Sequence, residues 1–159
     1  MRFVRLAVLF LAVGFWGTLE RSLGLAPMIG VSLAAAIACA FELNFSLSLL
    51  FGSLMLALGE WIYGLPVGAW ALGGTLGLIA CHLVLHTARP GALERAVALV
   101  MILLPGMACA LVFAVATGSS TGIPGLLQTL VYLVSAFVLS GPLVAWLHGQ
   151  RRDLWGQPG

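Results

Sequence analysis

Apolar residues run through this chain in long blocks, broken by short polar or Gly/Pro punctuation. Crossing ~30 Å of hydrocarbon takes about 20 helical residues, and most of the blocks approach that length. The punctuation predicts six helical spans. They cover 3–18, ending before Glu20-Arg21-Ser22; 25–40, ending at Glu42 and Asn44; and 46–62, followed by the Gly64-Leu65-Pro66 turn. The remaining three are 67–86, ending at Arg89-Pro90-Gly91; 94–116, followed by a Gly/Ser/Thr-rich linker; and 125–147, followed by a polar tail. The break between the second and third spans is the least marked. A single helix from Leu25 to Ile62 would be roughly 57 Å long, so the chain must turn, and Glu42-Leu43-Asn44 is the polar place for it. The expected fold is an all-α integral membrane protein with a single transmembrane domain over residues 1–159.

Composition agrees with that pattern. The chain is 62% hydrophobic and 8% charged, against about 25% charged residues in soluble domains. No polar stretch reaches domain length, and membrane lipid is the expected solvent. All 7 cations are arginines and the net charge is +2, which gives no basic patch for nucleic acid. With six spans, Arg2, Arg5, Arg89, Arg95, Arg151 and Arg152 share one face and Arg21 lies on the other. The positive-inside rule makes the arginine-rich face, and both termini, cytoplasmic. Arg2 and Arg5 before Leu6–Trp16 resemble the start of a signal peptide, but with no small-residue cleavage site a retained first span is expected. Cys39, Cys81 and Cys109 are widely spaced within apolar runs, so they read as packing residues.

Candidate chemistry is sparse. Glu60 stands in an apolar stretch with glycines before, beside and after it. A carboxyl group there needs a reason, because charged groups are costly in hydrocarbon. It reads as a water-facing interfacial group near the outer end of its span, as a contact for a partner, or as a proton or ion ligand. A proton relay would require further acids within the spans, and Glu20 and Glu42 read as loop residues. Trp61 and Tyr63 beside it suit an interfacial aromatic belt. His82 and His86 share a helical face at i, i+4. They are compatible with a metal pair, but lack a glutamate between them and an evident third ligand, and suit a helix C-terminus equally. Gly64-x3-Gly68 and Gly73-x3-Gly77 are small-xxx-small patterns that permit close helix approach. Pro105 and Pro142 fall inside spans and remove a backbone donor each. No nucleophile motif, phosphate loop or carboxylate pair is present, so no catalytic function and no cofactor are expected.

The segment Gly52-x7-Glu60-x3-Gly64-x3-Gly68, which follows a hydrophobic hairpin led by Pro27, resembles the rod shape-determining protein MreD family. So does the last span, with Pro142 followed by Leu-Val-Ala-Trp-Leu and the Arg151-Arg152 end. Length and span count fit as well. The chain departs from the family pattern in three places: Glu60 stands where an aspartate is usual, Leu56 where a second glycine is common, and the arginines after the second span are missing. The resemblance implies a non-catalytic component of the bacterial inner membrane. It would scaffold and regulate lateral peptidoglycan synthesis and cell shape, with partners including an MreC-type protein, an elongation-specific penicillin-binding protein, a RodA-type glycosyltransferase and the MreB cytoskeleton. It implies a fold similar to the substrate-binding subunits of energy-coupling-factor transporters. The partner-facing residues expected on this reading are Gly52, Glu60, Gly64 and Gly68. The alternative is a small-molecule, vitamin-type substrate-binding subunit of such a transporter, with a pocket lined by the outer loops.

Overall fold

The structure, a computed structural model, describes residues 2–23, 30–63, 68–85, 90–118 and 126–148. The described residues form six helices and no strand: α1 Arg2–Ser22, α2 Val31–Glu42, α3 Phe45–Tyr63, α4 Ala69–Val84, α5 Ala92–Thr117 and α6 Leu126–His148. Three stretches, Phe45–Ile62, Ala92–Thr117 and Thr129–His148, are long and apolar enough to cross a membrane. Large apolar side chains are exposed on the outer faces of the helices, among them Leu11, Phe15, Leu72, Leu111 and Val115. Lipid rather than water suits such a surface, and the chain is a membrane protein.

α2 lies at the centre. Every residue from Ser32 to Ala40 is buried. One of its faces, Leu33, Ala36, Ile37 and Ala40, packs with Leu56, Leu78, Ile102 and Ala136 from α3, α4, α5 and α6. Another, Ala35 and Cys39, packs with Leu6, Leu9 and Val13 of α1 and Met55 of α3. Its run of alanines explains the position, because small side chains let several helices approach one axis closely. The three cysteines are free, with Cys39 and Cys81 buried.

The closest helix contact is between α4 and α5. A Cβ on Gly73 would meet the Pro105 carbonyl and lie 2.7 Å from the Gly106 Cα; one on Gly77 would meet the Met101 carbonyl and lie 2.5 Å from the Ile102 Cα. The backbones therefore touch along the Gly73-x3-Gly77 face. Pro105 has no N–H, so the Met101 carbonyl lacks its usual i+4 donor. Gly77 backs onto that carbonyl, where the Cβ of any other residue would clash.

Six helical segments match the predicted number, but boundaries shift. Span 1 was expected to stop at residue 18; α1 continues through Glu20 and Arg21 to Ser22. Glu20 is helical and 3% exposed, not a loop residue. Charges at a span end suggest a stop, but here Glu20 and Arg21 are accommodated inside the fold. Glu42, also expected in a loop, is the last residue of α2. α2 and α4 are shorter than their expected spans, at 12 and 16 residues, and α5 is longer at 26. Gly64, Leu65, Pro66, His86 and Arg89 lie outside the described residues, as does the expected linker between spans 5 and 6 beyond Gly118.

Candidate functional site

Glu60 sits in the last turn of α3, and α4 runs back antiparallel beside that helix. The first N–H groups of any helix have no partner within the helix. Normally a Ser, Thr, Asp or Asn at the N-cap position supplies an acceptor. In α4 the N-cap is Gly68, which has no side chain; its φ of 105° lies in the left-handed region that favours glycine. Glu60 supplies the missing acceptor from the neighbouring helix. Its Oε2 accepts the Gly68 N–H at 2.7 Å, and its Oε1 accepts the N–H groups of Trp70 and, at 3.1 Å, Ala71. These are the N-cap, N2 and N3 positions. The first intrahelical bond, from the Leu72 N–H to the Gly68 carbonyl, follows at 2.9 Å. A carboxylate at the positive end of a helix is also favoured by the macrodipole.

The surroundings of this contact are packed. Glu60 is 3% exposed. A Cβ on Gly52, two turns earlier in α3, would lie 2.7 Å from Leu78 Cδ1, so that glycine admits the α4 side chain. Trp70 covers Gly106 of α5, whose added Cβ would lie 2.7 Å from Trp70 Cε3. Ser53 and Thr75 join α3 to α4 by a hydroxyl–hydroxyl bond of 2.7 Å. Gly52, Glu60 and Gly68 are thus brought together along one α3–α4 seam, while Gly64 lies outside the described residues. Each of the three described residues is engaged within the chain, and Glu60 offers almost no surface. Trp61 beside it is 65% exposed.

Two arginines, Arg21 and Arg5, follow the same rule with the opposite sign. Arg21 Nη1 donates to the Ile62 carbonyl, in the last turn of α3, at 3.0 Å. Arg5 Nη1 donates to the Trp146 carbonyl, in the last turn of α6, at 2.5 Å, with its guanidinium 5.3 Å from the Trp146 ring centre. Arg95 Nη1 donates to the Phe137 carbonyl and to Ser140 Oγ, both at 3.4 Å, and ties α5 to α6. Arginine at helix C-terminal carbonyls and carboxylate at helix N–H groups both complement the helix dipole. Sequence reading treated these arginines only as topology signals. His148 in the last turn of α6 meets Glu42 at 3.1 Å, another contact that the sequence reading did not contain.

Among the described residues no three of His, Cys, Asp and Glu come close enough together to hold a metal. His82 lies edge-on to Phe45, with ring centres 5.5 Å apart. A crevice between α1, α2 and α3, lined by Trp16, Gly17, Ser32, Gly59 and Ile62, has room for about 10 Å³. That is about the size of one water. No family model, no curated protein and no solved structure matches this chain.

Proposed function

We propose that this chain is a non-catalytic component of a bacterial cell-elongation machinery, which scaffolds and regulates lateral peptidoglycan synthesis through an MreC-type partner. One observation supports the reading: three of the spaced residues on which the resemblance to the MreD family rests, Gly52, Glu60 and Gly68, lie along one packed α3–α4 seam. Gly52 admits α4, and Glu60 fastens the start of α4 through Gly68, Trp70 and Ala71. In this reading the motif does not touch the partner with its own polar atoms. It fixes the corner formed by the end of α3 and the start of α4, and the partner meets the outer surface of that corner, where Trp61 is exposed.

The topology belongs to the same proposal. Six membrane spans with both termini in the cytoplasm put Arg5 and Arg95 at the cytoplasmic end and Arg21 with Glu60 at the outer end. The membrane is the bacterial inner membrane. The fold would be similar to the substrate-binding subunits of energy-coupling-factor transporters, used here for assembly and not for uptake.

A photoreactive residue at Trp61 tests the reading in a rod-shaped bacterium that carries this chain. The expected product is a crosslink to a single-span MreC-type protein. Crosslinks to lipid alone, or to an energizing transporter module, would overturn it.

A further inference from the structure

Glu94 and Arg95 stand side by side in the first turn of α5. Ala92–Thr117 is long and apolar enough to cross a membrane, so its first turn lies at the level of the lipid headgroups. Among the described residues Glu94 makes no hydrogen bond and no ion pair. Its carboxylate turns back over Gly91, where an added Cβ would lie 2.8 Å from Oε2. Arg95 is anchored but not neutralised. Its Nε donates to the Gly91 carbonyl at 3.3 Å, and its Nη1 to the Phe137 carbonyl and Ser140 Oγ, both at 3.4 Å. The guanidinium carbon lies 5.2 Å from the Phe137 ring centre. It fits against α6 because residue 141 is glycine: a Cβ there would meet Nη1 and lie 3.2 Å from Cζ. All these partners are neutral, the hydrogen bonds are long, and Nη2 is left open; no described carboxylate pairs with the guanidinium. The α5 dipole does not account for the charge, since a cation is disfavoured at the start of a helix. Exposed Leu93 and Val100 on α5, with Val134 and Val138 on α6, present apolar surface to lipid close by.

We infer that Glu94 and Arg95 form a site for the headgroup of phosphatidylethanolamine, a zwitterionic phospholipid with a primary ammonium. The open edge of Arg95 takes the phosphate, and Glu94 takes the ammonium. A guanidinium presents parallel N–H groups that match phosphate oxygens. An ammonium carries N–H donors, which an ionised carboxylate accepts. Opposite charges on adjacent residues, not paired with each other, suit a headgroup that carries both. An anionic lipid without an ammonium would meet the Glu94 carboxylate as a repulsion, and a choline headgroup has no N–H to give it. The seat on α6 at Phe137 and Gly141 holds the guanidinium in place before lipid arrives, which lowers the ordering cost of binding. This inference stands independently of any role in cell elongation.

Native mass spectrometry of the purified full chain tests it. The detergent-solubilised chain is offered equal amounts of phosphatidylethanolamine, phosphatidylcholine and phosphatidylglycerol with the same acyl chains. Phosphatidylethanolamine is expected to be retained roughly threefold over each of the others, the size that two exposed charge contacts allow. Glu94→Gln should bring retention of phosphatidylethanolamine and phosphatidylcholine to parity. Its helical circular dichroism should be unchanged, because Glu94 bonds no described residue. A wild-type chain with no preference, a preference for phosphatidylglycerol, or a preference over phosphatidylcholine that survives Glu94→Gln would overturn the inference.

Discussion

At the level of single residues, Glu60, Arg21 and Arg5 act as caps on helices to which they do not belong. Glu60 accepts three N–H groups from the start of α4, and Arg21 and Arg5 donate to the ends of α3 and α6. Bonds to charged groups contribute about 1.5–3 kcal/mol, and a buried donor left unpaired costs about 1–3 kcal/mol. Glu60→Ala should therefore destabilise the chain by about 3 kcal/mol, and Glu60→Gln, which keeps one acceptor oxygen, by about half as much. Amide exchange in detergent micelles would show it, with the Gly68, Trp70 and Ala71 amides exchanging about 100-fold faster in the alanine variant. Unchanged protection at those amides would mean that the cap is dispensable. The sequence marked Glu60 as an anomaly but did not reveal its partners. They become visible only once α4 is known to fold back beside α3. One signal pointed that way: Gly68 opens a helix and has no side chain with which to cap it.

Elements are positioned by small residues more than by amphipathic pattern. α2 is buried along nearly its whole length because its alanines and Cys39 let α1, α3, α4, α5 and α6 gather around it. α4 meets α5 through Gly73 and Gly77, and those glycines were legible in the sequence as a packing pattern. What was not legible is that they serve α5 of the same chain. Small-residue spacing states that a close approach occurs, not which helix approaches. Gly77→Leu would drive a side chain into the Met101 and Ile102 backbone, so α4 and α5 must separate. A loss of about 3 kcal/mol or more is expected in thermal unfolding, against a minor effect for Leu76→Ala on the lipid face. Helix ends were the least legible feature. Charges at Glu20, Arg21 and Glu42 mark chain reversals in the sequence, yet all three lie within helices, because the fold supplies partners that a linear pattern does not show.

For the whole molecule, the hydrophobic pattern was enough to indicate an all-helical membrane protein with six helical segments. Composition carried that conclusion, since 8% charged residues cannot cover a water-facing surface. Its topology is a separate expectation. Accessibility tags at the two termini of the full chain in intact cells should both report the cytoplasm, and tags on opposite sides would contradict the six-span arrangement. The functional reading depends on the corner that Glu60 builds: if the chain works by assembly, loosening α4 from α3 must weaken assembly. The most direct test is co-purification of the MreC-type partner with wild-type and Glu60→Ala chains, at matched amounts in native membranes. The account predicts that capture falls at least about tenfold in the variant, which corresponds to a loss of about 1.4 kcal/mol in binding. Full capture by a variant whose α4 amides have lost their protection would contradict it.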